Sequence, residues 1–211
     1  MEDVKPLLQL NPIEQRILGA LLEKSKTTPD YYPMSINSLT AACNQKTSRN
    51  PVVSYDEETV TLALNSLKIK GLASTVTGAG SRTVKWKHNL AIVYPLLPSE
   101  LAIICLLLLR GPSTPGEINT NSGRIYEFDT IEEVQATLQK LSTDTPAFVK
   151  QLPRRPGQKE VRFMQLFGGD QPEEVTEPEP PAASSSDLEQ RVAKLEQEVL
   201  ELKEMINLLI S

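Results

Sequence analysis

The feature that most restricts the fold is a pattern written twice. "LNPIEQRILGALLEK" starts at Leu10 and "LLPSELAIICLLLLR" at Leu96, and Ile17, Leu18, Leu21 and Leu22 match Ile103, Ile104, Leu107 and Leu108. Asn11, Pro12 and Glu14 are start signals for the first helix, and Ser99 with Glu100 for the second. Each is followed by a loop and a short helix, Ser35 to Ala42 and then about Thr114 to Asn121. An amphipathic helix comes next, Asp56 to Lys70 and then about Thr130 to Leu141, with Val60, Leu64 and Leu67 matching Val134, Leu138 and Leu141 at helical spacing. Each unit closes on a hairpin: "LASTV" and "RTVKWKH" around "TGAGS", then "AFVKQL" and "KEVRFMQLF" around "PRRPG". Three helices and a hairpin describe a winged helix. The expected class is mainly α with small β-hairpins (α+β), as two tandem winged-helix domains over residues 1–90 and 91–167.

Charge is distributed unevenly along the chain. It is +3 over residues 1–90, zero over 91–167 and -8 over 168–211. Residues 168–187, "GGDQPEEVTEPEPPAASSSD", are acidic, rich in Pro and Ser and poor in large apolar groups. Such a segment buries too little surface to offset its chain entropy and is expected to be a disordered linker. Residues 188–211 then carry Leu188, Val192, Leu195, Val199, Leu202, Ile206 and Leu209 at alternating spacings of four and three. β-branched a positions with leucine at d favour a parallel two-stranded coiled coil. Arg191 facing Glu196 and Glu198 facing Lys203 agree with that pairing. The alternative is a helix that folds back on its own domains.

The stretches "LNPIEQRILGALLEKSKTTPDYYPMSINSLTAACNQKTSRNPV", "LNSLKIKGLA" and "LPSELAIICLLLLRGPSTPGEI" resemble the bacterial YceH-like proteins, an uncharacterised family with two tandem winged helices. The resemblance covers about residues 9 to 168, and "LTAACNQKTSRNPV" is its most distinctive text. It implies the fold and supplies no biochemical activity.

Enzymatic chemistry is not expected. His88 is the one histidine in the chain, so no His-based metal cluster is expected, and its place at a strand end reads as an exposed strand residue. No phosphate-binding glycine loop leads from a strand into a helix. Cys43 and Cys105 lack zinc or disulfide spacing and read as buried small hydrophobes. No cofactor is expected. The N-terminus lacks a signal pattern, and the apolar run from Leu101 to Leu109 is short of the roughly 20 residues that a bilayer needs, so the expectation is a cytoplasmic protein with no membrane partner.

Nucleic-acid binding is the first functional expectation. Phosphate contacts would fall to Lys46 and Arg49 ahead of the third helix, to Arg82, Lys85 and Lys87 of the first wing, and to Arg154, Arg155 and Lys159 of the second. Thr61 and Asn65 are the candidate base readers. On the first wing, Val84 and Trp86 should face inward and the two lysines outward. Two features argue differently. The helix opens with Asp56, Glu57 and Glu58, and its outer face carries Leu62 and Ile69, an apolar pair suited to an interdomain or subunit interface. The two expectations are therefore a dimeric DNA-binding regulator, or a protein-interaction scaffold similar in fold to accessory subunits of bacterial chromosome-condensing complexes.

Overall fold

The computed structural model describes residues 6–77, 83–154 and 160–169, together with Glu196 and Gln197, which are helical and exposed. Residues 1–170 form one compact unit and 171–211 a second. The linker beyond Gly169 and the heptad residues Leu188, Val192, Leu195, Val199, Leu202, Ile206 and Leu209 lie outside the described residues.

The class is mixed α and β: seven α-helices and two antiparallel two-stranded sheets among the described residues. The first repeat runs α1 (Pro12–Thr27), α2 (Ile36–Cys43), α3 (Glu57–Ile69), β1 (Ala73–Val76) and β2 (Lys85–His88). A short helix, α4 (Leu90–Val93), leads to the second repeat: α5 (Pro98–Arg110), α6 (Pro115–Ser122), α7 (Ile131–Thr143), β3 (Val149–Gln151) and β4 (Phe163–Gln165).

The repeat extends to a detail that the periodicity did not carry. Met34, just before α2, exchanges backbone hydrogen bonds with Trp86 at 3.0 and 2.7 Å. Ser113, just before α6, does the same with Phe163 at 3.0 and 2.9 Å. Each hairpin thereby gains a one-residue third strand, and its inner aromatic ring is fixed over the helices.

Local chemistry sets the helix starts. Asn11 and Glu14 form a reciprocal capping box on α1, and Thr114 and Glu117 form one on α6. Ser35, Asp56 and Thr130 cap α2, α3 and α7. Ser99 does not cap α5: the helix starts two residues earlier than that cap would set, at Pro98, and Glu100 reaches back to accept the Leu97 N–H at 2.7 Å.

The two repeats share one continuous apolar core, which joins Ile17, Leu18 and Leu21 of α1 to Ile103, Ile104 and Leu107 of α5. All six are at most 1% exposed. At about 1.5–3 kcal/mol for each buried side chain, this seam outweighs any surface ion pair. The helices meet at Gly19, where a Cβ would lie 2.9 Å from Leu109 Cγ and 3.1 Å from Leu108 Cβ. The Cys105 thiol donates to the Gly19 carbonyl at 3.4 Å. Burial pushes the Cys43 thiol up to about 12 and raises that of Cys105 as well, so both side chains act as packing groups. The chain ends of the unit close on each other: Leu10 N–H donates to the Phe167 carbonyl at 2.6 Å, and Tyr94 stacks edge-on against Phe148 at 5.3 Å.

Candidate nucleic-acid interface

The core stripe of α3 is Val60, Ala63, Leu64 and Leu67, as the periodicity predicts, and that choice leaves Leu62, Asn65 and Ile69 outward. Leu62 is 66% exposed and Ile69 88%, so no described part of this chain, including the second repeat, covers them. Asn65 is exposed. Thr61 is half-buried, and its hydroxyl donates to the Glu57 carbonyl one turn back at 2.6 Å. The acidic start is structural in part: the Asp56 carboxylate accepts the Thr59 N–H at 2.7 Å, and that bond holds its pKa below the usual range. Asn37 donates to Glu57 at 3.1 Å.

Arg49 is not on this surface. It is 6% exposed, and its guanidinium donates to Glu23 at 2.6 and 3.1 Å, to the Ala42 and Ser48 carbonyls and to Gln45. Every donor direction is consumed inside the fold, so the expected phosphate contact is replaced by a staple for the loop after α2. Arg16, which the sequence reading passed over, completes that staple. It is 4% exposed and donates to the Cys43 carbonyl at 3.3 Å and to the Pro51 carbonyl at 2.5 Å. Asn44 and Tyr55 close the same loop with reciprocal bonds of 2.7 and 2.8 Å. The sequence signal for Arg16 is a cation beside the buried stripe of an otherwise apolar helix.

Lys46 and Lys85 are exposed, and Lys87 is half-buried. Val84 does not face inward. It precedes β2 and is 43% exposed, while Trp86 alone fills the inner face at 4%. Lys68 lies 6.0 Å over the Trp86 ring. His88 is not the exposed strand residue expected from the sequence: it is half-buried, and its ring sits 6.1 Å from that of Tyr32. Burial first, then Lys26 and Lys87, push its pKa down to about 4. Among the described residues, Trp86 Nε1 and His88 Nδ1 are buried without a hydrogen-bond partner.

In the second repeat, α7 exposes Glu132, Gln135, Ala136 and Gln139. Arg154 is exposed at the edge of the hairpin; Arg82, Arg155 and Lys159 lie outside the described residues. Arg162 is engaged by the Glu117 carboxylate at 2.7 and 3.0 Å and by the Pro112 carbonyl. The structure thus places Lys46, Lys85, Asn65 and Arg154 at the surface and withdraws Arg49. Among the described residues no group of three His, Cys, Asp or Glu side chains could hold a metal ion. No described helix is long and apolar enough to cross a membrane.

Two three-helix units, each followed by an antiparallel strand pair, make the described residues a small mixed α/β protein. The chain belongs to the family described as "Protein of unknown function, DUF480", whose profile matches residues 10–158. It is 50% identical over 198 residues to the UPF0502 protein of Solibacter usitatus (strain Ellin6076), with 92% of this chain and 93% of the relative covered. It is 46% identical over 209 residues to the UPF0502 protein of Shewanella piezotolerans (strain WP3 / JCM 13877), with 94% and 96% covered. The likeness to the UPF0502 protein of Geotalea daltonii (strain DSM 22248 / JCM 15807 / FRC-32) is 48% over 172 residues, with 82% and 78% covered. The family agrees with the resemblance drawn from the sequence.

Proposed function

We propose that this chain is a non-enzymatic, tandem winged-helix DNA-binding protein that dimerises through its C-terminal heptads. The observation that carries the reading is the duplicated unit, in which a hairpin with its one-residue third strand backs a third helix whose outer face is open. In that architecture the third helix approaches the major groove and the hairpin holds phosphates. Asn65 on α3, and Gln135 and Gln139 on α7, are exposed amides suited to base edges. Lys46, Lys85 and Arg154 supply exposed cations for the backbone. Two weak modules in one chain, doubled by a coiled coil, gain affinity by linkage. A cytoplasmic location accords with this role.

One specific observation favours a second reading, a protein-interaction scaffold. Leu62 and Ile69 stand exposed on the α3 face that would enter a groove, and both third helices open with acidic residues. Apolar side chains gain little against a hydrated groove, and carboxylates repel phosphates. The test is binding of the full chain to mixed genomic duplex at two salt concentrations. Phosphate binding falls steeply with salt through counterion release. Arg154→Glu combined with Arg155→Glu should weaken it nearly equally across sequences. A flat or absent response assigns the α3 face to a protein partner.

A further inference from the structure

A groove of about 410 Å³ opens where the two repeats meet, between the C-terminal ends of α1 and α5, the end of α6 and the loop after α2. Leu106 and Leu109 form its apolar floor, and Thr47, Ser48 and Asn121 bring hydroxyl and amide groups to the rim. The size falls within the roughly 300–1,000 Å³ of small-molecule sites. Three cations line it, Lys24, Arg110 and Arg124, against a single carboxylate, Glu23. That carboxylate is already committed to Arg49 at 2.6 Å and to Lys24 at 3.3 Å. Arg110 reaches only the Ser48 hydroxyl, at 2.8 Å, and Arg124 has no partner among the described residues. Ser48 holds this position with a φ of 60°, a left-handed backbone in a residue with a side chain. Such a conformation persists only where the surroundings over-determine it.

The ends of three helices also face this region, and each attracts positive charge with about half an elementary charge. That accounts for part of the cationic lining. Lys24 and Arg110 sit in last helical turns and fit that role. Arg124 lies beyond the end of α6, and its full charge is left over. An apolar floor with a polar rim and an unneutralised guanidinium pair suits a small polar molecule that carries a doubly charged oxyanion.

We propose that this groove binds a small phosphorylated molecule, whose phosphate is held by Arg110 and Arg124 and whose polar body lies against Thr47, Ser48 and Asn121. No residue of α3 or of either hairpin lines the groove; of the cations assigned above to the duplex, Lys46 adjoins it, next to Thr47 of the rim. Its position at the junction of the repeats means that a bound ligand contacts both.

The test uses the full chain and two probes, inorganic phosphate and ribose 5-phosphate, with ribose as the uncharged arm. Calorimetry and thermal unfolding should show saturable binding of both phosphates, tighter for the ester, and none of ribose. Arg124→Gln removes a side chain without a partner among the described residues, so it should fold normally and weaken both phosphates at least tenfold. Arg110→Gln should do the same, while Arg154→Gln on the second hairpin should leave binding unchanged. Absence of saturable binding of either phosphate, or equal affinity in the Arg124→Gln variant, overturns the proposal. Loss of duplex binding in Arg124→Gln with neither phosphate probe bound also overturns it, and assigns the arginine to the nucleic acid.

Discussion

The loop between the second and third helices is built in two different ways in the two repeats. In the first repeat it spans residues 44–56 and is held by buried charge: Arg49 on Glu23, and Arg16 on the Cys43 and Pro51 carbonyls. In the second it is shorter, residues 123–130, and is held by an aromatic pair, Tyr126 and Phe128, with ring centroids 4.8 Å apart. The Tyr126 hydroxyl adds a bond to Glu133 at 3.1 Å. A longer loop carries more backbone carbonyls into the interior, and those need donors. Guanidinium supplies several at once, which a ring cannot.

A second contact shows the same principle. Glu14, 1% exposed on α1, accepts from Ser66 and from Lys70 at the end of α3, each at 2.7 Å. Burial pushes its carboxyl up, but the Lys70, Ser66 and Asn11 bonds outweigh that and hold it below the ordinary range. Glu100 is its counterpart on α5, and its partner is Lys140. By the offset of the third helices, Lys140 stands where the first repeat has Ser66, and Asp144 where it has Lys70. The tie between first and third helix is kept while the lysine moves by one turn.

The largest expected effect comes from breaking the charged loop. Arg49→Ala leaves Glu23 and several carbonyls without their donor, and should cost about 3–5 kcal/mol in urea unfolding. Tyr126→Phe in the second loop loses one solvent-accessible hydrogen bond to Glu133 and should destabilise far less. Comparable losses for the two variants would mean that the loops are held alike, against the contrast drawn from the structure.

Much of this fold is legible in the sequence because it rests on periodicity. The stripes of α1, α3, α5 and α7, the Asn11 box and the two hairpins follow from side-chain spacing. What was not legible depends on partners far away in the chain. Arg49 reads as a loop cation until its loop is folded against Glu23, 26 residues earlier. His88 reads as a strand-end residue until Tyr32, whose hydroxyl accepts its N–H, covers it from 56 residues away. Ser99 reads as a cap because composition marks a helix start only to within a residue or two. On α3 the outer pair is expected from the sequence to meet protein; among the described residues nothing covers it.

The strand registers sharpen the comparison again. His88 pairs with Ala73 as Gln165 pairs with Val149, so the two occupy equivalent places. Gln165 is satisfied, donating to Gln15 at 2.9 Å and accepting the Gly168 N–H at 3.1 Å, and it cannot titrate. His88 titrates near 4 when folded and near 6.5 when unfolded. Between those values the unfolded chain takes up the proton first, so stability is full above about pH 6.5 and falls as the pH drops toward 4. The loss from pH 7.5 to pH 5 should be about 2 kcal/mol. His88→Gln installs the second repeat's residue and should flatten that window, leaving only the carboxylate losses at lower pH. An unchanged slope in the variant would place the titrating group elsewhere.

The smallest expected effect on stability lies on the outer faces of the third helices. The equivalents of Leu62 and Ile69 in the second repeat are Ala136 and Thr143. Because Leu62 and Ile69 are 66% and 88% exposed, Leu62→Ala with Ile69→Thr removes little buried surface. The unfolding free energy of the full chain should shift by no more than about 0.5 kcal/mol, as for most surface changes. A loss of about 2 kcal/mol or more, growing with protein concentration, would show that a second copy covers this face in solution. With stability unchanged, the pair of substitutions isolates the face itself. Under the DNA reading the variant binds duplex at least as well as the parent, since an apolar pair has left the groove-facing side. Under the scaffold reading the same variant loses its protein partner while the two repeats stay folded, and α3 then differs from α7 in what it binds as well as in what it exposes.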